Sequence, residues 1–272
     1  LEARRFKAAA AAPAQGRNRR MVIANDDELV KLKEIGRICA NAIQVMAAAM
    51  EPGMTTLELD RIGRKVLEDS GARSAPEFCY QFPGATCISI NEEIAHGIPG
   101  PRVIRAGDLI NIDVSAEKDG FFADTGASFT MPPVKPKIER LCRDGKRALW
   151  IGLNQVKSGE PLATIGTAVG AFAQKNRYTL VANLASHGVG RSLHEEPAEL
   201  STWPDPSEKR MMTEGLVFTV EPFLSLGATW AEGGDDAWTL YADPKAPTVQ
   251  YEHTVVATRN GPVVLTLPDE RA

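Results

Sequence analysis

Cysteine is scarce in this chain. There are four among 272 residues, Cys39, Cys79, Cys87 and Cys142, and none stands in a C-x-x-C spacing. That pattern gives no disulfide framework, and with no secretory hydrophobic region in view a reducing cytoplasm is expected. Long apolar runs are missing too. None approaches the roughly eighteen residues of a membrane span, so no membrane partner is expected. Positive charge is not in excess. The net charge is −4, which offers no global case for nucleic-acid binding. Histidine is rare, with only His96, His187, His194 and His253, so the position of each is informative.

The charge is unevenly placed. Residues 1–20 carry six basic groups against the single acid Glu2, leaving the rest of the chain at −9. This Ala/Pro/Arg-rich segment reads as a vector-derived or upstream extension, with Met21 near the native start. Residues 21–272 are then read as one domain, and the full chain is of ordinary globular composition at 43% apolar and 24% charged.

Two passages share an order of elements. Asn25-Asp26 can cap a helical pattern running to Met50, Pro52-Gly53 breaks it, and Thr55 or Thr56 caps a second helix. Irregular chain through Pro76 and Pro83 leads to a strand at Thr86–Asn91. Later, a helix over about Lys137–Val156 is broken at Ser158–Pro161, and a second helix and a strand near Tyr178–Val181 follow. Further strands are expected at Gly215–Glu221 and Tyr251–Thr258. The repeat predicts two α-β halves with a site at their junction.

Between the halves lies Asn111-Ile-Asp-Val-Ser115, joined through Asp119-Gly120 to Phe122-Ala-Asp-Thr125. Asp-Gly between extended segments signals a two-residue hairpin loop. That loop sets Ser115 opposite Asp124 and Asp113 opposite Gly126. Both aspartates then share a face as diagonal neighbours, about 7–8 Å apart at Cα. A solvated hairpin with surface acids is the plain alternative. Leu109, Ile110, Ile112 and Val114 argue instead for a strand buried on both faces, where paired acids need a counter-charge such as a metal ion.

Other candidate ligands sit at similar places. His187 is flanked by glycines in Ser-His-Gly-Val-Gly-Arg, Glu221 ends an apolar strand before Pro222, and Glu252 alternates with Gln250 and Thr254 in an apparent strand. Each alone is more often structural. As a set, four carboxylates and one imidazole suit a pair of divalent ions sharing a water. His253 points away from Glu252, toward a core or supporting role. His96 and His194, in Gly/Pro and Glu-Glu-Pro loops, read equally as surface histidines or as donors to a substrate carbonyl.

Ser89-Ile-Asn-Glu…His96-Gly-Ile-Pro, Asn111-Ile-Asp-Val…Asp124-Thr, Ser186-His-Gly-Val-Gly-Arg…His194-Glu-Glu-Pro, Phe218-Thr-Val-Glu-Pro and Gln250-Tyr-Glu-His-Thr resemble the motifs of type I methionine aminopeptidases, in order, over about Asp27 to Leu267. The resemblance implies an α+β pita-bread fold, two pseudo-symmetric halves around a curved antiparallel sheet. It implies hydrolysis of the N-terminal Met of nascent chains with a small second residue. It carries two divalent ions (Co, Mn, Fe or Zn) onto Asp113, Asp124, His187, Glu221 and Glu252. It makes Glu221 the general base, His96 and His194 catalytic substrate-contacting groups, and Phe82, Cys87, Leu193 and Trp238 the Met pocket. A monomer working near the ribosome exit tunnel is expected. Two departures fall on that pocket: Cys79-Tyr80-Gln81-Phe82-Pro83, where the family has Tyr-x-Gly-[Phe/Tyr]-Pro, and Leu193, often Phe. The alternatives are a pita-bread aminopeptidase with another N-terminal specificity, and a non-catalytic binding protein of the same fold.

Overall fold

The computed structural model describes residues 20–269; all but the last residue of the segment 1–20 expected as an extension, and residues 270–272, lie outside it. Helix α1 (Asp26–Ala49) starts as expected, with the Asn25 side chain accepting the Glu28 amide. Helix α2 (Thr56–Asp69) begins with a reciprocal Thr55–Glu58 capping box. Their apolar faces are buried, Leu32, Ile35, Cys39, Ile43 and Met46 on the first and Leu59 and Leu67 on the second. Strand β1 (Arg73–Ser74) and helix α3 (Ala75–Tyr80) follow. The sequence pattern shows irregular chain there. The structure has a six-residue helix instead, because the Ser74 hydroxyl accepts the Glu77 amide and Pro76 fits the first turn.

Strands β2 (Cys87–Ile90), β3 (Glu93–Ala95), β4 (Leu109–Lys118) and β5 (Phe121–Thr130) complete the first half. β4 pairs with β1, β2 and β5, and α1 lies across β4 and β5. The second half repeats the plan with α4 (Pro136–Leu153) and α5 (Ala163–Asn176). Short strands β6 (Thr179–Leu180), β7 (Ser186–Gly188), β8 (Glu195–Leu200), β9 (Val217–Val220) and β10 (Phe223–Ser225) come next. They are followed by β11 (Trp230–Gly233), β12 (Leu240–Asp243), β13 (Thr248–Gln250), β14 (His253–Thr258) and β15 (Gly261–Val264). The main sheet of this half runs β15-β14-β9-β7-β8, all antiparallel. Each half has its own apolar cluster, and Val217 and Val256 of the second half join the first cluster.

One expected strand divides. Gln250 to Val256 reads as a single alternating strand, but β13 ends at Gln250 and β14 begins at His253. Gln250 pairs with Phe223 of β10, whereas His253 pairs with Val220 of β9. Glu221-Pro222 therefore faces Tyr251-Glu252 across a seam where the chain passes from one sheet to the next. No helix among the described residues is long and apolar enough to cross a membrane.

Candidate active site

The β4–β5 hairpin has the register that Asp119-Gly120 dictates. Both turn residues have positive φ, 53° and 80°, as a type I′ turn requires. Asp113 stands opposite Gly126 and Ser115 opposite Asp124, so both carboxylates face one side and interact directly. Gly126 is needed for a further reason. A Cβ there would meet Gln250 Oε1 at 2.2 Å. That amide accepts from Asn111 Nδ2 at 2.8 Å and donates from Nε2 to Glu252 Oε2 at 2.8 Å, so the empty volume at Gly126 lets Gln250 aim Glu252.

The seam supplies both glutamates. The Glu252 amide donates to Gly126 O at 2.9 Å, its carbonyl accepts from the Thr125 hydroxyl at 2.7 Å, and its side chain is almost fully buried. The Glu221 amide donates to the Ser186 hydroxyl at 3.0 Å, and its Oε1 accepts from the Thr219 hydroxyl at 2.7 Å. Thr219 Oγ1 also accepts the His187 backbone amide, tying the Glu221 carboxylate to the His187 main chain. His187 Nδ1 lies 3.0 Å from the Gly188 carbonyl. A carbonyl only accepts, so Nδ1 carries a proton, and in the neutral ring Nε2 keeps its lone pair. That Nε2 lies 3.6 Å from Asp124 Oδ2 and 3.8 Å from Glu221 Oε1. Ligand atoms of Asp124, His187 and Glu252 all fall within 4.8 Å of one another.

These acids lack counter-charge. Burial raises the pKa of Asp113, and Asp124 and Glu221 add to it. Burial raises Glu252 likewise, with Asp124, Glu221 and Asp113 adding. Glu221 is pushed to about 7, first by burial, with partial relief from His187 and Thr219. Burial disfavours a charge on His187, but the neighbouring carboxylates outweigh it and its pKa rises. Asp124 Oδ1 and Glu252 Oε1 are buried without a hydrogen-bond partner. Clustered acids, orphaned oxygens and an imidazole with a fixed lone pair are the donor set of a divalent-cation site.

His194 stacks beside His187, with ring centroids 4.1 Å apart. His96 is near enough for Asp124 and His187 to act on it. Both His96 and His194 reach solvent, yet the protein packed around them displaces enough water to lower their pKa. Both are therefore neutral at pH 7. Tyr80, absent from the expected set, is the residue that sequence reasoning missed. Its hydroxyl lies 2.5 Å from His194 Nδ1. The supporting roles of Thr219 and Gln250 were missed as well. Each stands two residues before a candidate glutamate, on the same face of an extended chain.

Phe82 and Trp238 meet edge to face, centroids 5.3 Å apart, and Cys87 stands opposite Asp113 at the edge of the carboxylates. Burial holds the Cys87 thiol protonated, with Asp113 and Asp124 adding. Leu193 is buried in the apolar cluster of the first half, to which neither Phe82 nor Trp238 belongs, and its backbone bonds the Cys79 thiol. His253 lies apart, its Nδ1 2.9 Å from Thr266 Oγ1, in a supporting place.

Comparison with known proteins gives a consistent answer. The model of metallopeptidase family M24 matches residues 30–259. A methionine aminopeptidase of Staphylococcus epidermidis is 47% identical over 251 residues, covering 92% of this chain and all of that one. Methionine aminopeptidase 2 of Bacillus subtilis is 44% identical over 247 residues, 90% of this chain and 99% of the other. Among solved structures, methionine aminopeptidase from Rickettsia prowazekii superposes with a TM-score of 0.86 at 30% identity, over 91% of this chain and all of that one.

Proposed function

The chain belongs to metallopeptidase family M24, and from that premise we propose how it acts. It is a pita-bread, metal-dependent aminopeptidase that removes N-terminal methionine, and its substrates are peptides that begin with Met. The observation that carries the reading of the site is the cluster of Asp113, Asp124, His187, Glu221 and Glu252 at the seam, with two neutral histidines beside it. These five would hold two divalent ions, drawn from Co, Mn, Fe and Zn. Bound there, the ions supply a water acidic enough to attack at neutral pH and polarise the scissile carbonyl.

The chain's own residues do the rest. Glu221 takes the proton of the attacking water and passes it to the leaving amine, its carboxylate aimed by the Thr219 hydroxyl. His96 and His194 donate N–H to the carbonyl oxygen as charge develops on it. With Tyr80 donating its O–H to Nδ1, His194 keeps its proton on Nε2, free for substrate. The methionine side chain enters against Phe82, Cys87, Leu193 and Trp238, where aromatic faces and a thiol suit a thioether. In this reading residues 21–272 form one catalytic domain, monomeric and cytoplasmic. It acts on nascent chains near the ribosome when the second residue is small.

A second reading, an aminopeptidase of altered first-residue preference, is favoured by Cys79-Tyr80-Gln81, where Gln81 takes a left-handed conformation. A peptide panel varying the first residue, with metal content measured in parallel, separates the two. The expected result is a kcat/KM for Met-Ala-Ser at least a hundredfold above that for Leu-Ala-Ser. Equal turnover by the metal-loaded protein would overturn the Met reading and leave hydrolysis standing.

A further inference from the structure

Outside the metal cluster, Glu195 is a poorly satisfied buried acid. It is 2% exposed. Its Oε1 accepts the Arg191 amide at 2.8 Å and the Ser192 hydroxyl at 3.5 Å, while Oε2 has no hydrogen-bond partner. Among the described residues no cationic side chain pairs with it. Burial raises its pKa, and three backbone amides draw it back: those of Arg191 and Ser192 in its own turn, and that of Met21 from the start of the described chain.

Met21 is held in place. Its side chain is 4% exposed and belongs to the apolar cluster of the first half. Its Cγ lies 2.4 Å from where a Cβ on Gly190 would stand, so only glycine there admits it. The Met21 carbonyl accepts the Val217 amide at 3.1 Å, Val22 bridges to Leu216, and the Ile23 amide donates to Gly215 O at 2.9 Å. Residues 21–23 thus lie along 215–217 as an added edge, and the Met21 nitrogen stays beside the turn that carries Glu195.

We propose that Glu195 is a receptor for a free α-amino group at residue 21: in a chain whose first residue is Met21, that ammonium and the Glu195 carboxylate form a buried ion pair. A buried carboxylate is costly without a cation, and an ammonium in place of the Met21 amide supplies one. Such a terminus arises when translation starts at Met21. It also arises when a trypsin-like protease hydrolyses the Arg20–Met21 bond, water giving its hydroxyl to the Arg20 carbonyl and its proton to the Met21 nitrogen. Because Glu195 also holds the Arg191–Ser192 turn, the pair fixes the backbone leading into Leu193 and His194.

Every described helix and strand begins after Met21, so a chain starting there keeps the whole fold. The test compares the 272-residue chain with one released from a fusion at Met21, its intact start verified by mass. Each is made with and without Glu195→Gln. Acylation of the Met21 amine by an N-hydroxysuccinimide ester, read by peptide mass spectrometry, should run at least tenfold slower in the native Met21-start chain than in the same chain in urea. Glu195→Gln should remove that protection, and should lower Tm more in the Met21-start chain than in the longer one. An amine that reacts at its unfolded rate, or an equal Tm penalty in both chains, overturns the proposal. Should Glu195→Gln not fold, Glu195→Asp, one methylene short, serves in the same comparison.

Discussion

Asp144 and Asp113 are acids of the same kind in the two halves, and they titrate in opposite directions. Asp144, on α4, is 1% exposed. Burial works to raise its pKa, but the Tyr178 hydroxyl, Arg140, Arg147 and Arg143 together hold it below the usual carboxylate value. Burial raises the pKa of Asp113, and Asp124 and Glu221 add to the rise, with no lysine or arginine ion-paired to it among the described residues. Folding alone satisfies Asp144. Folding leaves the cluster at the seam without that compensation, and the divalent ions proposed for it would supply the missing positive charge. Burial raises both acids, and what stands around each decides whether that rise is offset, as at Asp144, or reinforced, as at Asp113.

The strongest way to break this contrast is to neutralise a proposed ligand. Asp113→Asn or His187→Ala should lower kcat about a thousandfold or more, the scale of losing a preorganised charge-stabilising group, and should reduce bound metal. Neither should unfold the protein, since neither side chain anchors an apolar cluster. Full activity on Met-Ala-Ser with unchanged metal content, in either variant, would detach these residues from the chemistry.

The pH dependence of stability sharpens the contrast next. Glu221 has a pKa near 4.5 when unfolded and about 7 when folded in the absence of metal. Below 4.5 both states hold the proton and nothing is lost. Between 4.5 and 7 the unfolded chain releases its proton first, so stability falls, by roughly 3 kcal/mol for this one group, and then levels off. Metal displaces those protons and cancels the penalty. Chelated protein should therefore lose Tm as pH rises from 4.5 to 7, and the gap to metal-loaded protein should widen over that window. A gap that stays constant would mean that folding does not raise the Glu221 pKa.

The same contrast explains what could be read beforehand. Asp119-Gly120 fixes a register, so the shared face of Asp113 and Asp124 was legible from the chain alone, as were caps at Asn25-Asp26 and at Thr55 or Thr56, of which the structure uses Asn25 and Thr55. Local chemistry decides all three. The break at Tyr251-Glu252 was not legible, because alternation reports which face a residue takes and not which strand it pairs with. Only the gap at Glu221-Pro222 on the partner strands makes the break necessary. Helix α3 escaped for a related reason, being too short to show a period. Tyr80 escaped because its partner His194 is 114 residues away.

On the satisfied side, Asp144→Asn removes the charge that three arginines and Tyr178 share. The arginines are largely exposed, so their share is small, and the Tyr178 hydrogen bond at 2.8 Å dominates. A loss of about 2 kcal/mol in unfolding free energy is expected, with metal content and kcat unchanged. Metal loss in this variant would mean that the two regions are coupled.

The smallest effect comes from a pair of tyrosines that each hold one side of the comparison. Tyr178 donates to Asp144, and Tyr80 is bonded to His194. Phenylalanine in place of either keeps the ring and removes one hydrogen bond, worth about 1 kcal/mol or roughly fivefold in an equilibrium or a rate. The two losses should be read on different instruments. Tyr178→Phe should lower Tm and leave kcat alone. Tyr80→Phe should lower kcat about fivefold, with KM and metal stoichiometry unchanged. With the phenol gone, the His194 proton is free to sit on either nitrogen, and only one tautomer presents Nε2–H to the substrate. If Tyr80→Phe instead changes KM and leaves kcat alone, Tyr80 belongs to the wall that selects the first residue. The departures at Cys79 and Gln81 would then have to be read with it.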